Sequence, residues 1–190
     1  MSNRSGKAQI WLIRPDGSGL RQATDAPDGA WSFNKWSPDG SRLIYTDLAT
    51  TMFVYEPRKS WKEQTPQALS RVIDGGLIFE PFSWSPDGMQ LLGNDGPGEQ
   101  AALFAYSLAS GRFTRLSDVG SAWTWLNDGR RLLFTYRGGL FVLDTVSKKS
   151  RELLSVAPDD FDSVALSADS RTIYFTRAVQ QGDIWLMPLK

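Results

Sequence analysis

Trp36-Ser37-Pro38-Asp39-Gly40, followed by Ser41-Arg42-Leu43-Ile44-Tyr45, is the stretch on which the fold turns. Pro38 presets its own backbone angle, Asp39 hydrogen-bonds to nearby backbone, and Gly40 accepts a left-handed conformation. Together they predict a tight turn. Leu43-Ile44-Tyr45 is rich in the β-branched and aromatic residues that suit a pleated, buried surface, so a strand follows the turn. An apolar strand leads into Trp36, and the whole reads as a hairpin hinged on Asp39.

The hairpin recurs. Trp84-Ser85-Pro86-Asp87-Gly88 precedes Leu91-Leu92, Trp125-Leu126-Asn127-Asp128-Gly129 precedes Leu132-Leu133-Phe134, and Leu166-Ser167-Ala168-Asp169-Ser170 precedes Ile173-Tyr174-Phe175. The anchors 36, 84, 125 and 166 lie 48, 41 and 41 residues apart. A period of about 40–45 residues is that of a four-stranded propeller blade. Third strands are predicted at Met52–Tyr55, Leu103–Tyr106, Leu140–Leu143 and Ile184–Met187. Weaker fourth strands are predicted at Ala68–Val72, Phe113–Leu116 and Arg151–Leu154. Gln9–Arg14 and Leu20–Ala23, around Pro15-Asp16-Gly17, read as the third and fourth strands of one more blade. The expectation is an all-β, single-domain propeller over 1–190, with four to five blades of antiparallel strands. The blade units run over 9–23 (partial), 31–72, 79–116, 120–154 and 161–189.

Closure of the ring is the open point. A propeller joins its ends by letting one terminus complete the blade begun by the other. The last unit lacks a fourth strand, whereas the first offers both a third and a fourth. Either a five-blade ring has one thin blade, or upstream blades belong to the ring, which is the favoured reading. An open stack exposes a blade face and is expected to self-associate.

The Trp-Ser-Pro-Asp-Gly units, and an end at Asp183-Ile184-Trp185-Leu186-Met187, resemble the TolB-like propeller repeats, relatives of the WD-type blade. The resemblance covers about Gln9 to Lys190. It implies a ring of six or seven blades in the whole protein, with binding and scaffolding roles. It also implies a bacterial, periplasmic or extracytoplasmic setting. In some relatives such a propeller is linked to a kinase or DNA-binding module. In peptidases of the prolyl oligopeptidase type it gates a separate hydrolase domain.

Composition narrows the chemistry. Of 190 residues, 41% are hydrophobic and 22% charged, a globular balance. The eight Trp, ten Phe and five Tyr must be buried or line a binding surface. The 21 basic residues equal the 21 acidic ones, so no basic face for nucleic acid is expected. Cys and His are both absent, which removes thiolate nucleophiles, Cys-ligated zinc and the commonest general base. No apolar run is long enough to span a membrane, and residues 1–7 are polar with no signal-type core after them.

Candidate sites follow from the repeat. The four turn carboxylates Asp39, Asp87, Asp128 and Asp169 read as hairpin shapers, and Trp36, Trp84 and Trp125 as packing between blades. Four residues before each anchor stand Ser32, Glu80, Ser121 and Asp162. Strand alternation puts them on the anchor's side of the channel-lining strand. They are solvated strand-entry residues or a polar ring whose oxygens suit calcium. Glu80 and Asp162 are the carboxylate pair that catalysis by this chain alone would use. The first interval is long by about seven residues, and the excess, Glu56–Pro66, carries Trp61. Aromatic anchors dominate interfaces, so Trp61 is the best single contact residue; the alternative is that it folds onto its own blade. Three functions are weighed: a non-catalytic scaffold for a protein or peptide partner, a sensor binding a small ligand or calcium, and a fragment of a serine peptidase. The first is preferred, with no catalytic residue and no cofactor.

Overall fold

The structure, a computed structural model, describes residues 1–47 and 50–179, with the backbone alone at 31–34. Two short N-terminal strands, β1 (Trp11–Leu12) and β2 (Arg21–Gln22), pair antiparallel. Three four-stranded meanders follow. The first comprises β3 (Trp31–Trp36), β4 (Leu43–Thr46), β5 (Thr51–Tyr55) and β6 (Gln67–Ser70). The second comprises β7 (Glu80–Trp84), β8 (Gln90–Asn94), β9 (Leu103–Ser107) and β10 (Phe113–Ser117). The third comprises β11 (Ser121–Trp125), β12 (Arg131–Tyr136), β13 (Gly139–Asp144) and β14 (Ser150–Ser155). A pair, β15 (Asp160–Leu166) and β16 (Ile173–Ala178), ends the described chain. The third strand expected at Ile184–Met187 lies outside the described residues. Among those described, no helix is long and apolar enough to cross a membrane.

The core lies between blades rather than within one. Side chains alternate along a strand, so each middle strand serves two interfaces. Leu43 and Tyr45 of β4 join Tyr55, Ile10 and Ala23 on the side of the N-terminal pair. Ile44, between them, faces the other way, with Met52 and Val54, onto Trp84, Leu91, Phe104 and Tyr106 of the next blade. Leu92, Leu103 and Ala105 then meet Trp125, Leu132 and Phe134, and Leu133 and Leu140 meet Phe161 and Val164. Burial on both faces is why these strands read as continuous apolar runs. The first strands, β3, β7, β11 and β15, contact one another in succession and so form the inner side of the stack.

Three of the four Asp turns are closed by a serine two residues before the carboxylate. Ser37 Oγ donates to Asp39 Oδ1 at 2.6 Å and accepts from Arg42 N at 2.9 Å. Asp39 also accepts from Ser41 N. Ser85–Asp87 and Ser167–Asp169 repeat this geometry. The third copy has Leu126 in the serine position, and there Arg131 supplies the missing donor, its Nε lying 2.5 Å from Asp128 Oδ2.

The Trp anchors do not all behave alike. Trp84 is buried, its Nε1 donates to Lys35 O at 3.0 Å, and Arg42 lies over its ring at 5.0 Å while donating to Gly88 O. Trp125 is also buried, but its Nε1 has no acceptor among the described residues. Trp36, expected to pack between blades, is instead 50% exposed. Trp84 packs on β3, β4 and β5 of the complete blade before it. Among the described residues the sheet before Trp36 has two short strands, β1 and β2, in place of a complete meander.

Candidate functional site

A polar ring at the channel mouth would need Ser32, Glu80, Ser121 and Asp162 at equivalent places in the inner strands. Glu80 pairs with Asn94 and Ser121 with Thr135, which are equivalent positions. At that position in the last sheet, however, Ser163 faces Thr176, and Asp162 is skipped by the ladder. The reason is a β-bulge in β7, β11 and β15: between Pro81 and Ser83, between Ala122 and Thr124, and between Phe161 and Ser163. A bulge adds one residue to one strand and resets alternation beyond it. Counting back by twos from the anchor therefore fails, and the last strand bulges at a different place. Asp162 is exposed, Glu80 and Ser121 are half-buried, and the Ser32 side chain lies outside the described residues.

Glu80 also answers a charge of the protein's own. Arg71, buried in the crossover from β6 to β7, donates from Nε to Phe79 O at 2.8 Å. Burial pulls its guanidinium below the ordinary value, while the carboxylates of Glu80 and Asp47 pull it back up. Among the described residues no three Asp or Glu side chains gather as metal ligands would.

The turn carboxylates are committed to structure. The Ser37 hydroxyl, with that of Ser41 and the Ser41 amide, holds Asp39 well below the usual carboxylate range. The Ser85 hydroxyl and Met89 amide act likewise on Asp87, and the Ser167 hydroxyl and Arg171 amide on Asp169. Burial works against ionisation of Asp128, but bonds from Arg131 and Arg130 outweigh it. A carboxylate stabilised as an anion in this way is a poor proton carrier at neutral pH.

The long loop between β5 and β6 is ordered by its own side chains. A single 3₁₀ turn, Trp61–Glu63, starts at Ser60 with a reciprocal capping box to Glu63. Gln64 bonds in both directions to the Glu56 backbone and also donates to Lys59 O. Trp61 is neither a bare loop tip nor fully absorbed. It is half-buried, packs against the cluster of Tyr45, Tyr55 and Leu43, and has Lys62 Nζ at 5.3 Å from its ring.

Folding the loop inward leaves a cavity of about 380 Å³ between the N-terminal pair and the first full blade. Its aromatic wall is Tyr45, Phe53, Tyr55 and Trp61, and its other side is the 23–27 segment with Asp25. Tyr45 and Phe53 stack with centroids 5.0 Å apart. Tyr45 and Tyr55 are buried behind the half-buried Phe53 and Trp61. Burial, with the nearby Tyr55 and Asp47, pushes the Tyr45 phenol up to about 12. The sequence pointed to Trp61 through the length of its loop; Tyr45, Phe53 and Tyr55 looked like any other strand residues.

Successive antiparallel meanders fanned on their first strands, each sharing a core with its neighbour, leave one architecture. The fold is a TolB-like β-propeller. Among the described residues, three complete blades carry a two-stranded sheet on each side. The propeller superposes on TolB from Acinetobacter baumannii with a TM-score of 0.67 at 20% identity, over 88% of this chain and 42% of that one. It superposes on an oligogalacturonate lyase in complex with manganese with a TM-score of 0.72 at 12% identity, over 95% of this chain and 55% of that one. In sequence it is 30% identical over 99 residues to an uncharacterised protein of Agrobacterium fabrum, covering 46% of this chain and 32% of that protein. No protein-family model matches the chain. The propeller thus spans a third to just over half the length of these relatives.

Proposed function

We propose that this propeller is a non-catalytic recognition scaffold that holds a protein or peptide partner at the Trp61 cavity. The observation that carries the reading is the aromatic wall of Tyr45, Phe53, Tyr55 and Trp61, set on a rigid blade and bordered by a capped loop. Cavities of roughly 300–1,000 Å³ lined by aromatic groups with a few polar ones are the usual shape of binding sites. Half-buried aromatic side chains held by their own packing give contact area at low entropic cost. The non-catalytic part of the reading rests on the residues at hand. The chain has neither His nor Cys. Its turn carboxylates are spent on hairpins, and Glu80 shares its surroundings with Arg71.

Selection of displayed peptides against the propeller, with counter-selection on Trp61→Ala, tests this. Enriched peptides should bind Trp61→Ala about tenfold more weakly, as hot-spot aromatics do, with little change in its melting temperature. Peptides that bind both proteins equally would move the site elsewhere. Turnover of oligogalacturonate by the chain, measured as new unsaturated ends, would end the non-catalytic reading.

A further inference from the structure

The lining of the Trp61 cavity is unbalanced in charge. Asp25 is its one ionisable side chain apart from the phenols of Tyr45 and Tyr55, and no Lys or Arg is among the lining residues. The rest is aromatic, aliphatic, amide or hydroxyl. The face of an aromatic ring carries negative potential and attracts cations. Trp61 already shows this attraction, because the ammonium of Lys62 sits 5.3 Å from its centroid. An anion would find carboxylate and π-faces here and no cationic lining group. A neutral apolar group would be accepted but would leave Asp25 unanswered.

We propose that the cavity takes an alkylated ammonium head, with Phe53 and Trp61 as the accessible aromatic walls and Asp25 as the counter-charge at the mouth. This rests on the cavity being the recognition site argued above and names the group it recognises. Trimethylammonium suits the site better than a primary ammonium. Its charge is spread over methyl groups that pack on rings, and it loses less hydration on entry. Such a head is borne by small amines such as choline or by a methylated lysine in a peptide. The cavity volume accommodates the head with part of the chain that carries it.

The test is a titration of the whole chain, followed by tryptophan fluorescence and calorimetry. The probes are choline, its neutral carbon isostere 3,3-dimethylbutanol, and one peptide carrying lysine either unmodified or trimethylated. Choline or the trimethylated peptide should bind at least tenfold more tightly than its uncharged or unmethylated counterpart. Which of the two binds identifies the source of the head. Trp61→Leu keeps apolar bulk and removes the ring, so it should weaken the cation about tenfold and barely affect the isostere. Asp25→Asn, at an exposed position, should weaken the cation a few-fold, and less so at high salt. Equal binding of choline and its isostere, both dependent on Trp61, would overturn the cation proposal and leave the recognition site standing. Peptides selected at Trp61 in the absence of any alkylammonium binding would do the same. Binding of neither probes nor peptides in a Trp61-dependent way would remove both.

Discussion

Trp84 and Trp36 occupy the same position in consecutive repeats, yet replacing each by Phe should have very different costs. Trp84→Phe removes the indole N–H that donates to Lys35 O at 3.0 Å. The loss of that bond costs about 1 kcal/mol. Shrinking a side chain that is only 5% exposed leaves about 40 Å³ unfilled, which at ~24 cal/mol per Å³ costs about 1 kcal/mol. The Arg42 guanidinium, 5.0 Å above the ring, loses about 0.5 kcal/mol on a weaker π-face. The sum is about 2.5 kcal/mol, or a fall in melting temperature of about 5–10 °C for a chain of this size. Trp36, half exposed, should cost no more than about 0.5 kcal/mol. Urea unfolding followed by circular dichroism reads both, and the slope with denaturant should not change. A double-mutant cycle of Trp84→Phe with Arg42→Ala should show non-additivity of about 0.5 kcal/mol or more, since the two groups touch. Equal costs at Trp36 and Trp84, or a cost below 0.5 kcal/mol at Trp84, would refute the account of how adjacent blades are held.

Gly93→Ala should be among the most damaging single substitutions, by about 3 kcal/mol or more, because a Cβ there would stand 2.1 Å from Glu80 O and 2.6 Å from the Phe79 ring. Gly96→Ala, with open space and no positive φ, should be neutral, and soluble yield with urea midpoints will separate the two. The turn carboxylates make the fold acid-sensitive. Asp39, Asp87, Asp128 and Asp169 all lie below the ordinary 3.8 when folded, and Asp144 falls to about 2 through bonds from the Ser147 amide and Arg130. A carboxylate with a depressed folded pKa contributes stability above its unfolded value and loses it as pH falls through the folded one. The urea midpoint should therefore owe no slope to these groups from pH 5 to 8 and should drop from about pH 4 towards pH 2, with a shallower drop in Asp87→Asn.

The repeat was legible because it is local chemistry. Pro-Asp-Gly between apolar runs dictates a hairpin wherever it occurs, and four copies in register announce blades without any knowledge of contacts. The decayed copies were legible for the same reason, since Asp128 and Asp169 still accept the amides two residues on. The candidate ring was less so. Its register was counted by twos, and bulges at Phe82, Trp123 and Asp162 break that count. A bulge depends on how one strand bends against the next, and nothing in Asp162 or its neighbours marks it.

Sequence by itself determined that the chain is a series of antiparallel four-stranded units, because turn propensity and alternation act over a few residues. It also determined where an unusual loop lies, through its extra length. Tertiary structure alone decided that Trp84 is locked while Trp36 stands half in solvent, since that depends on what the neighbouring sheet offers. It alone brought Tyr45, Phe53 and Tyr55 to Trp61 and opposite Asp25. Those residues are distant along the chain, and their meeting reflects how two sheets pack, a non-local balance that no short stretch encodes.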